Sequence, residues 1–108
     1  MHDNAPLGTF EEQVMLAVLR TGDEAYGMNV RRELERVTGR DVAIGAVYAT
    51  LDRLEAKGLV ASSRSGAGSA SRRLFAVTAL GAHGLAESRM MRDRLWEGID
   101  LSPLLAGA

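Results

Sequence analysis

The sequence contains no cysteine, which excludes disulfides, thiolate metal centres and a cysteine nucleophile. Its two histidines, His2 and His83, lie far apart and have no HxxxH spacing, so no metal site and no cofactor are expected. No apolar run approaches the roughly 20 residues a bilayer crossing needs. Residues 1–7 are polar and lack the basic-then-apolar pattern of a secretion signal, so a cytoplasmic protein with no membrane partner is expected. Aromatic residues make up 5% of the chain and are Phe10, Tyr26, Tyr48, Phe75 and Trp96, so the core must be mostly aliphatic. There is no phosphate loop, nucleophile elbow or carboxylate pair in a catalytic setting, so the chain does not read as an enzyme. A surplus of one charge is missing too: the net charge is −1, short of the basicity that announces many nucleic-acid binders.

What is there is one domain's worth of chain. Its 108 residues are 46% hydrophobic and 25% charged, an ordinary globular composition. The charge is unevenly spread. Lys57, Arg64, Arg72 and Arg73 are the charged residues between Ala56 and Ala86, with no acid among them. Acids gather before and after this stretch, so one end of the molecule is locally basic.

The periodicity predicts four helices and a hairpin. Thr9 and Glu12 fit a capping box opening a helix to about residue 20. Phe10, Val14, Ala17 and Val18 share one face, and Met15, Leu16 and Leu19 widen it, which predicts burial on more than one side. Tyr26, Val30, Leu34 and Val37 mark a second helix with Gly39 as its C-terminal cap. Val47, Leu51 and Leu54 mark a third over residues 44–57. Residues 59–61 and 74–77 read as short strands, and the Ser/Gly/Ala-rich segment 62–71 between them reads as a long flexible loop. Thr78 is placed to cap a last helix over residues 79–98, and residues 101–108 read as a tail.

Three helices followed at once by a hairpin is the winged helix-turn-helix arrangement, so the fold class expected is mainly α with a small β-hairpin. The first three helices each need a partner for an apolar face, and a tripod gives them one core. The hairpin would close its open side, since two strands alone are marginal. Residues 1–78 would form this unit. Residues 79–108 would form a C-terminal dimerisation helix and tail, because Met91, Leu95, Trp96 and Ile99 make a stripe left over once the core is complete.

The run Gly45-Ala46-Val47-Tyr48-Ala49-Thr50-Leu51-Asp52-Arg53-Leu54-Glu55-Ala56-Lys57-Gly58-Leu59-Val60 resembles the PadR-type transcriptional regulators. Leu7-Gly8-Thr9, Tyr26-Gly27, Arg72-Arg73 and Thr78-x-x-Gly81 extend the resemblance over residues 7–85. Ala43 and Ala46 depart from the Ser and Thr frequent in that family, at the expense of a helix cap and a phosphate contact. Leu74-Phe75 stands where a tyrosine pair is common. The resemblance implies a sequence-specific DNA-binding regulator. It would be a homodimeric repressor on a pseudo-palindromic operator, with release by a small hydrophobic effector as an extension of that reading. The alternative is a winged helix that binds proteins and has lost DNA, favoured by the near-neutral charge and by Ala43, Ala46 and Ala49.

In a winged helix the third helix enters the major groove. Tyr48, Thr50 and Arg53 are its candidate DNA contacts, with Lys57 beside them as a phosphate neighbour or plain surface. Tyr48 also reads as a core ring with its hydroxyl at the surface, Thr50 as facing the second helix, and Arg53 as the partner of an acid. The wing supplies Arg64, Arg72 and Arg73 for phosphates or the minor groove, or as solvated cations of a loop. Trp96 would pack across a dimer, line an effector pocket with Met91, Leu95 and Ile99, or cover its own domain.

Overall fold

The computed structural model describes residues 7–66, 68 and 71–107. Residues 1–6 of the polar segment 1–7, most of the loop tip and residue 108 lie outside the described residues, while Leu7 packs against the core. The chain runs α1 (Thr9–Thr21), a 3₁₀ turn (Gly22–Glu24), α2 (Gly27–Thr38), α3 (Ile44–Ala56), β1 (Val60–Ser65), β2 (Arg72–Val77), α4 (Ala79–Trp96) and α5 (Ser102–Ala106). The expected order of three helices, hairpin and helix is present. The 3₁₀ turn and α5 are additions, the latter started by Pro103 inside its first turn. No helix among the described residues is long and apolar enough to cross a membrane.

The core is the expected tripod closed by the hairpin. Val14, Met15 and Val18 from α1 meet Val30 and Leu34 from α2, Val47, Leu51 and Leu54 from α3, and Val60 and Phe75 from the hairpin. Burying a Val, Leu or Phe side chain of this kind contributes about 1.5–3 kcal/mol. Phe75 is the one aromatic ring fully inside, so the interior is aliphatic as the composition requires. Leu16 and Leu19 are exposed, so within one chain α1 buries one side and not two. Val37 is also exposed, because the last turn of α2 runs past the tripod. Gly39 ends that helix in the left-handed conformation at φ 69°, as expected.

Two local expectations shift. The capping box sits one residue earlier: Gly8 is the N-cap, and its N–H donates to Glu11 Oε1 at 3.0 Å. Extended backbone at Gly8 starts the helix there, and Glu12 is drawn instead to Arg92 of α4. The hairpin is also longer than expected. Its antiparallel register runs from Val60 opposite Val77 to Ser65 opposite Arg72, so Ser62, Ser63 and Ser65 are strand residues. Composition read them as loop, but tertiary partners hold them: Ser62 bonds Glu55 through both N–H and hydroxyl, and the Ser65 hydroxyl meets that of Tyr26 at 3.0 Å.

β2 lies between two neighbours. β1 pairs along one edge, and on the other Leu74 bridges Tyr26 while the Phe75 N–H donates to Ala25 O at 3.0 Å. The start of α2 is thereby pinned to the wing.

α4 leaves the domain from a tight junction. The Thr78 hydroxyl caps it, accepting from the Gly81 N–H at 3.0 Å. A Cβ at Gly81 would lie 2.1 Å from Leu59 O, so only glycine lets the helix approach the α3–β1 turn so closely. Beyond Leu85 the helix stays tied to α1 through Arg92 and Glu12, and its last turn is exposed; the chain measures 59 × 37 × 21 Å. It ends at Trp96, short of the expected residue 98.

α1 and α2 are also tied at the surface. Glu33 accepts from Arg20 Nε and from Arg36 Nη2, each at 2.6 Å. Arg36 first and Arg20 second hold its carboxyl at about 2, against an ordinary 4.5. A carboxylate depressed on folding stabilises fully above its unfolded pKa and loses that contribution as pH falls through the folded one. Wild-type melting temperature should therefore fall as pH is lowered from 4.5 toward 2. Glu33→Gln should flatten that part of the profile while lowering stability at pH 7. Equal slopes for the two proteins in a thermal melt series would remove Glu33 from the acid response.

Candidate nucleic-acid interface

α3 divides into four faces, and each candidate contact falls on a particular one. Val47, Thr50, Leu51 and Leu54 point into the core. Thr50 is 2% exposed, and its hydroxyl accepts from Arg53 Nη2 at 3.2 Å. That corrects the expectation of Thr50 as a DNA contact: it lies on the inward stripe beside Leu51 and Leu54, out of reach of a ligand.

Arg53 and Lys57 flank α3 on the side of α1. Lys57 Nζ donates to Glu11 Oε2 at 3.0 Å, and Arg53 Nε stands 3.7 Å from the same oxygen. Burial pushes the Glu11 carboxyl up, but the Gly8 N–H, Lys57 and Arg53 outweigh it and its pKa is lowered. Both cations are about half exposed and share one carboxylate, which anchors them and reduces their local charge.

Tyr48 and Glu55 flank α3 on the side of the wing. The hydroxyl end of the Tyr48 ring lies against Gly27, where a Cβ would come within 2.4 Å of Cζ. The missing side chain at the start of α2 is thus what seats Tyr48, which is 37% exposed and lines the groove between α3 and the wing. Glu55 Oε2 accepts from the Ser62 N–H at 2.9 Å and hydroxyl at 2.7 Å, and Oε1 accepts from Arg73 Nη2 at 2.8 Å. The Ser62 hydroxyl first, opposed by burial and then helped by the Ser62 N–H and Arg73, lowers the Glu55 pKa.

The wing cations are not equivalent. Arg73 Nη1 donates to Asp52 Oδ1 at 2.9 Å, its other arm holds Glu55, and its guanidinium lies 4.8 Å from the centroid of Phe75. Asp52 first, against burial and with Glu55, raises its pKa. Arg73 is a strut between wing and helix. Arg72 lies 4.9 Å from the centre of the Tyr26 ring, and neither it nor Arg64 has an ion-pair partner among the described residues. At the start of α3 Ala43 is the N-cap and makes no side-chain cap bond, as its departure from Ser leads one to expect.

These elements enclose a groove of about 530 Å³ between the start of α2, α3 and the wing. Arg32, Arg64, Arg72 and Arg73 line it, and no carboxylate does. Tyr26 and Asn29 line it too, and neither they nor Arg32 was expected as a contact. Asn29 and Arg32 are one turn apart and bonded, Arg32 Nη1 to Asn29 Oδ1 at 3.2 Å. The available signal was the spacing of Tyr26, Asn29 and Arg32 along one edge of α2, which reads as plain surface until the wing is folded beside it.

The model of the transcriptional regulator PadR-like family matches residues 15–87, most of the chain. The chain belongs to this family. It is a PadR-like transcriptional regulator with the winged-helix fold. It is similar to a PadR family transcriptional regulator from Eggerthella lenta at 29% identity, covering 85% of this chain and 80% of that one with a TM-score of 0.67. The fold is also shared with a PadR-like transcription factor from Bacteroides fragilis (24% identity, 83% and 85% covered, TM-score 0.73). A third similar structure is RosR from H. salinarum (24% identity, 97% and 96% covered, TM-score 0.69). No curated sequence matches the chain. The family match ends within α4, before its exposed distal half and α5.

The geometry separates a strut from a free cation. Arg73→Ala removes the partner of both Asp52 and Glu55, so it should lower the melting temperature by roughly 5 °C. Arg72→Ala removes an exposed guanidinium and should leave it unchanged within a degree or so. Differential scanning calorimetry of the two variants checks this, and equal shifts would remove the distinction.

Proposed function

We propose that this PadR-like regulator is a cytoplasmic homodimeric repressor that holds a pseudo-palindromic DNA site through α3 and the wing. The observation that carries the reading is the acid-free groove, with four arginines around it in a chain of net charge −1. Phosphates are the natural ligands of such a groove. Arg64 and Arg72 serve as wing phosphate contacts, with Arg32 joining them from α2. Tyr48 contributes its hydroxyl from the groove wall. Arg53 and Lys57 reach phosphates on the opposite flank by exchanging Glu11 for the backbone of DNA. Residues 1–78 then form the DNA-binding unit and residues 79–108 the dimerising one.

A second copy is the partner that the distal α4 supports. Met91, Leu95, Trp96 and Ile99 are each more than half exposed, with Leu95 at 72%, and Leu104 and Leu105 of α5 are exposed as well. Within one chain Trp96 is 56% exposed, so pairing about a two-fold axis gives this surface a use. Two recognition helices would then be presented about 34 Å apart, one turn of DNA. A small hydrophobic effector lodged beside Trp96 would release the operator by altering that spacing.

The second reading, a protein-binding winged helix, is favoured by the ion pairs of Arg53, Lys57 and Arg73 and by the alanines on the outer side of α3. Sequencing of genomic fragments recovered on the purified protein separates the two. Enrichment of an inverted repeat supports the repressor; no enrichment at low or moderate salt supports the protein-binding module. On the enriched site, Arg72→Ala should weaken binding and lower the salt slope by roughly one counterion. An unchanged slope would take Arg72 off the phosphates.

For the dimer, Trp96→Ala should raise the dissociation constant by about thirty-fold, ~2 kcal/mol, if Trp96 is a central anchor. Sedimentation equilibrium reads this directly, and an unchanged dimer would place the interface elsewhere.

A further inference from the structure

At 3.6 residues per turn, the ridge of α3 directly opposite its buried stripe is formed by Gly45, Ala49, Asp52 and Ala56. Gly45, Ala49 and Ala56 carry nothing beyond Cβ, so a duplex can approach this ridge closely. Asp52 is the one side chain that projects from it, and it is 60% exposed.

Its carboxylate is held, not free to swing. Arg73 Nη1 donates to Oδ1 at 2.9 Å, and Arg73 is in turn fixed by Glu55 at 2.8 Å and stacked on the buried Phe75. Oδ2 has no donor among the described residues. The arrangement leaves one oriented acceptor on the outermost line of the recognition helix. It also answers the main objection to an acid facing DNA, because the Arg73 charge offsets repulsion by phosphates.

The bases present few donors to such an acceptor in the major groove. Cytosine N4–H₂ is one, with a C–H edge beside it. Adenine N6–H₂ is the other, but its neighbour N7 is an acceptor that repels a carboxylate.

We propose that Asp52 is a specificity-determining residue that reads cytosine, its Oδ2 accepting from N4–H of the base while Oδ1 stays on Arg73. The assignment rests on the DNA-binding reading above. Asp52 thereby differs from Arg32, Arg64 and Arg72, which hold phosphates and carry no base preference.

Selection from a randomised duplex pool with the full-length wild type, Asp52→Ala and Asp52→Asn tests it. The wild type should prefer cytosine about ten-fold at one position of each half-site. Asp52→Ala should flatten that position and leave the preferences at the others. Asp52→Asn keeps an oxygen for Arg73 and turns an amide donor outward, so the preference should move away from cytosine to a base presenting an acceptor: adenine N7, guanine or thymine. Preferences that are unchanged in Asp52→Ala, or weakened equally at every position, would overturn the assignment and leave Asp52 as a holder of Arg73. A wild type that selects no sequence at all would overturn the DNA-binding reading itself, and Asp52 with it.

Discussion

Glu55 sits where α3 meets the wing, and its two oxygens accept three hydrogen bonds from the hairpin. One oxygen takes both donors of Ser62 on β1, and the other takes Arg73 on β2. A carboxylate so bound cannot be released by moving one strand alone. It therefore sets the angle at which the hairpin leaves α3, and with it the width of the groove. Tyr26 completes the frame from the far side, bridging Leu74 through its backbone and Ser65 through its hydroxyl. Without these contacts a two-stranded hairpin rich in serine would have little to hold its register.

The same interactions explain how a chain with a net charge of −1 presents a basic surface. Acids are spent on cations that build the fold: Glu33 on Arg20 and Arg36, Glu11 on Lys57 and Arg53, Asp52 and Glu55 on Arg73. Exposed pairs of this sort contribute little stability individually, so their value lies in placement. Three of the cations that have no ion-pair partner among the described residues, Arg32, Arg64 and Arg72, are collected along one groove. Net charge averages over this sorting and so conceals it.

Element order and core were legible because they rest on local periodicity. The apolar spacing of Val14 and Val18, of Val30 and Leu34, and of Val47, Leu51 and Leu54 is the spacing of buried helix faces, and each of these residues is buried. Thr78 and Gly39 cap their helices where capping chemistry put them. The errors came where two features competed locally. Glu11 and Glu12 are both placed to close a capping box, and the extended backbone at Gly8 together with the distant Arg92 decides between them. Serines 62, 63 and 65 carry a loop composition, and only Glu55 and Tyr26, far along the chain, turn that stretch into a strand.

Sequence by itself determined the class of fold, the family and the basic character of the wing, since these follow from residue types at fixed local spacing. Tertiary structure alone decided the roles within the site. Thr50 and Arg53 are three residues apart on one helix, yet one is sealed in the core and the other stands beside Glu11 at the surface. Arg72 and Arg73 are adjacent, yet strand alternation sends one onto Tyr26 and the other across to Asp52 and Glu55. Whether a cation is free or spent depends on which acid the fold brings within reach. Those partners lie as far as 46 residues away for Lys57 and Glu11 and 80 for Arg92 and Glu12, beyond anything local spacing can encode.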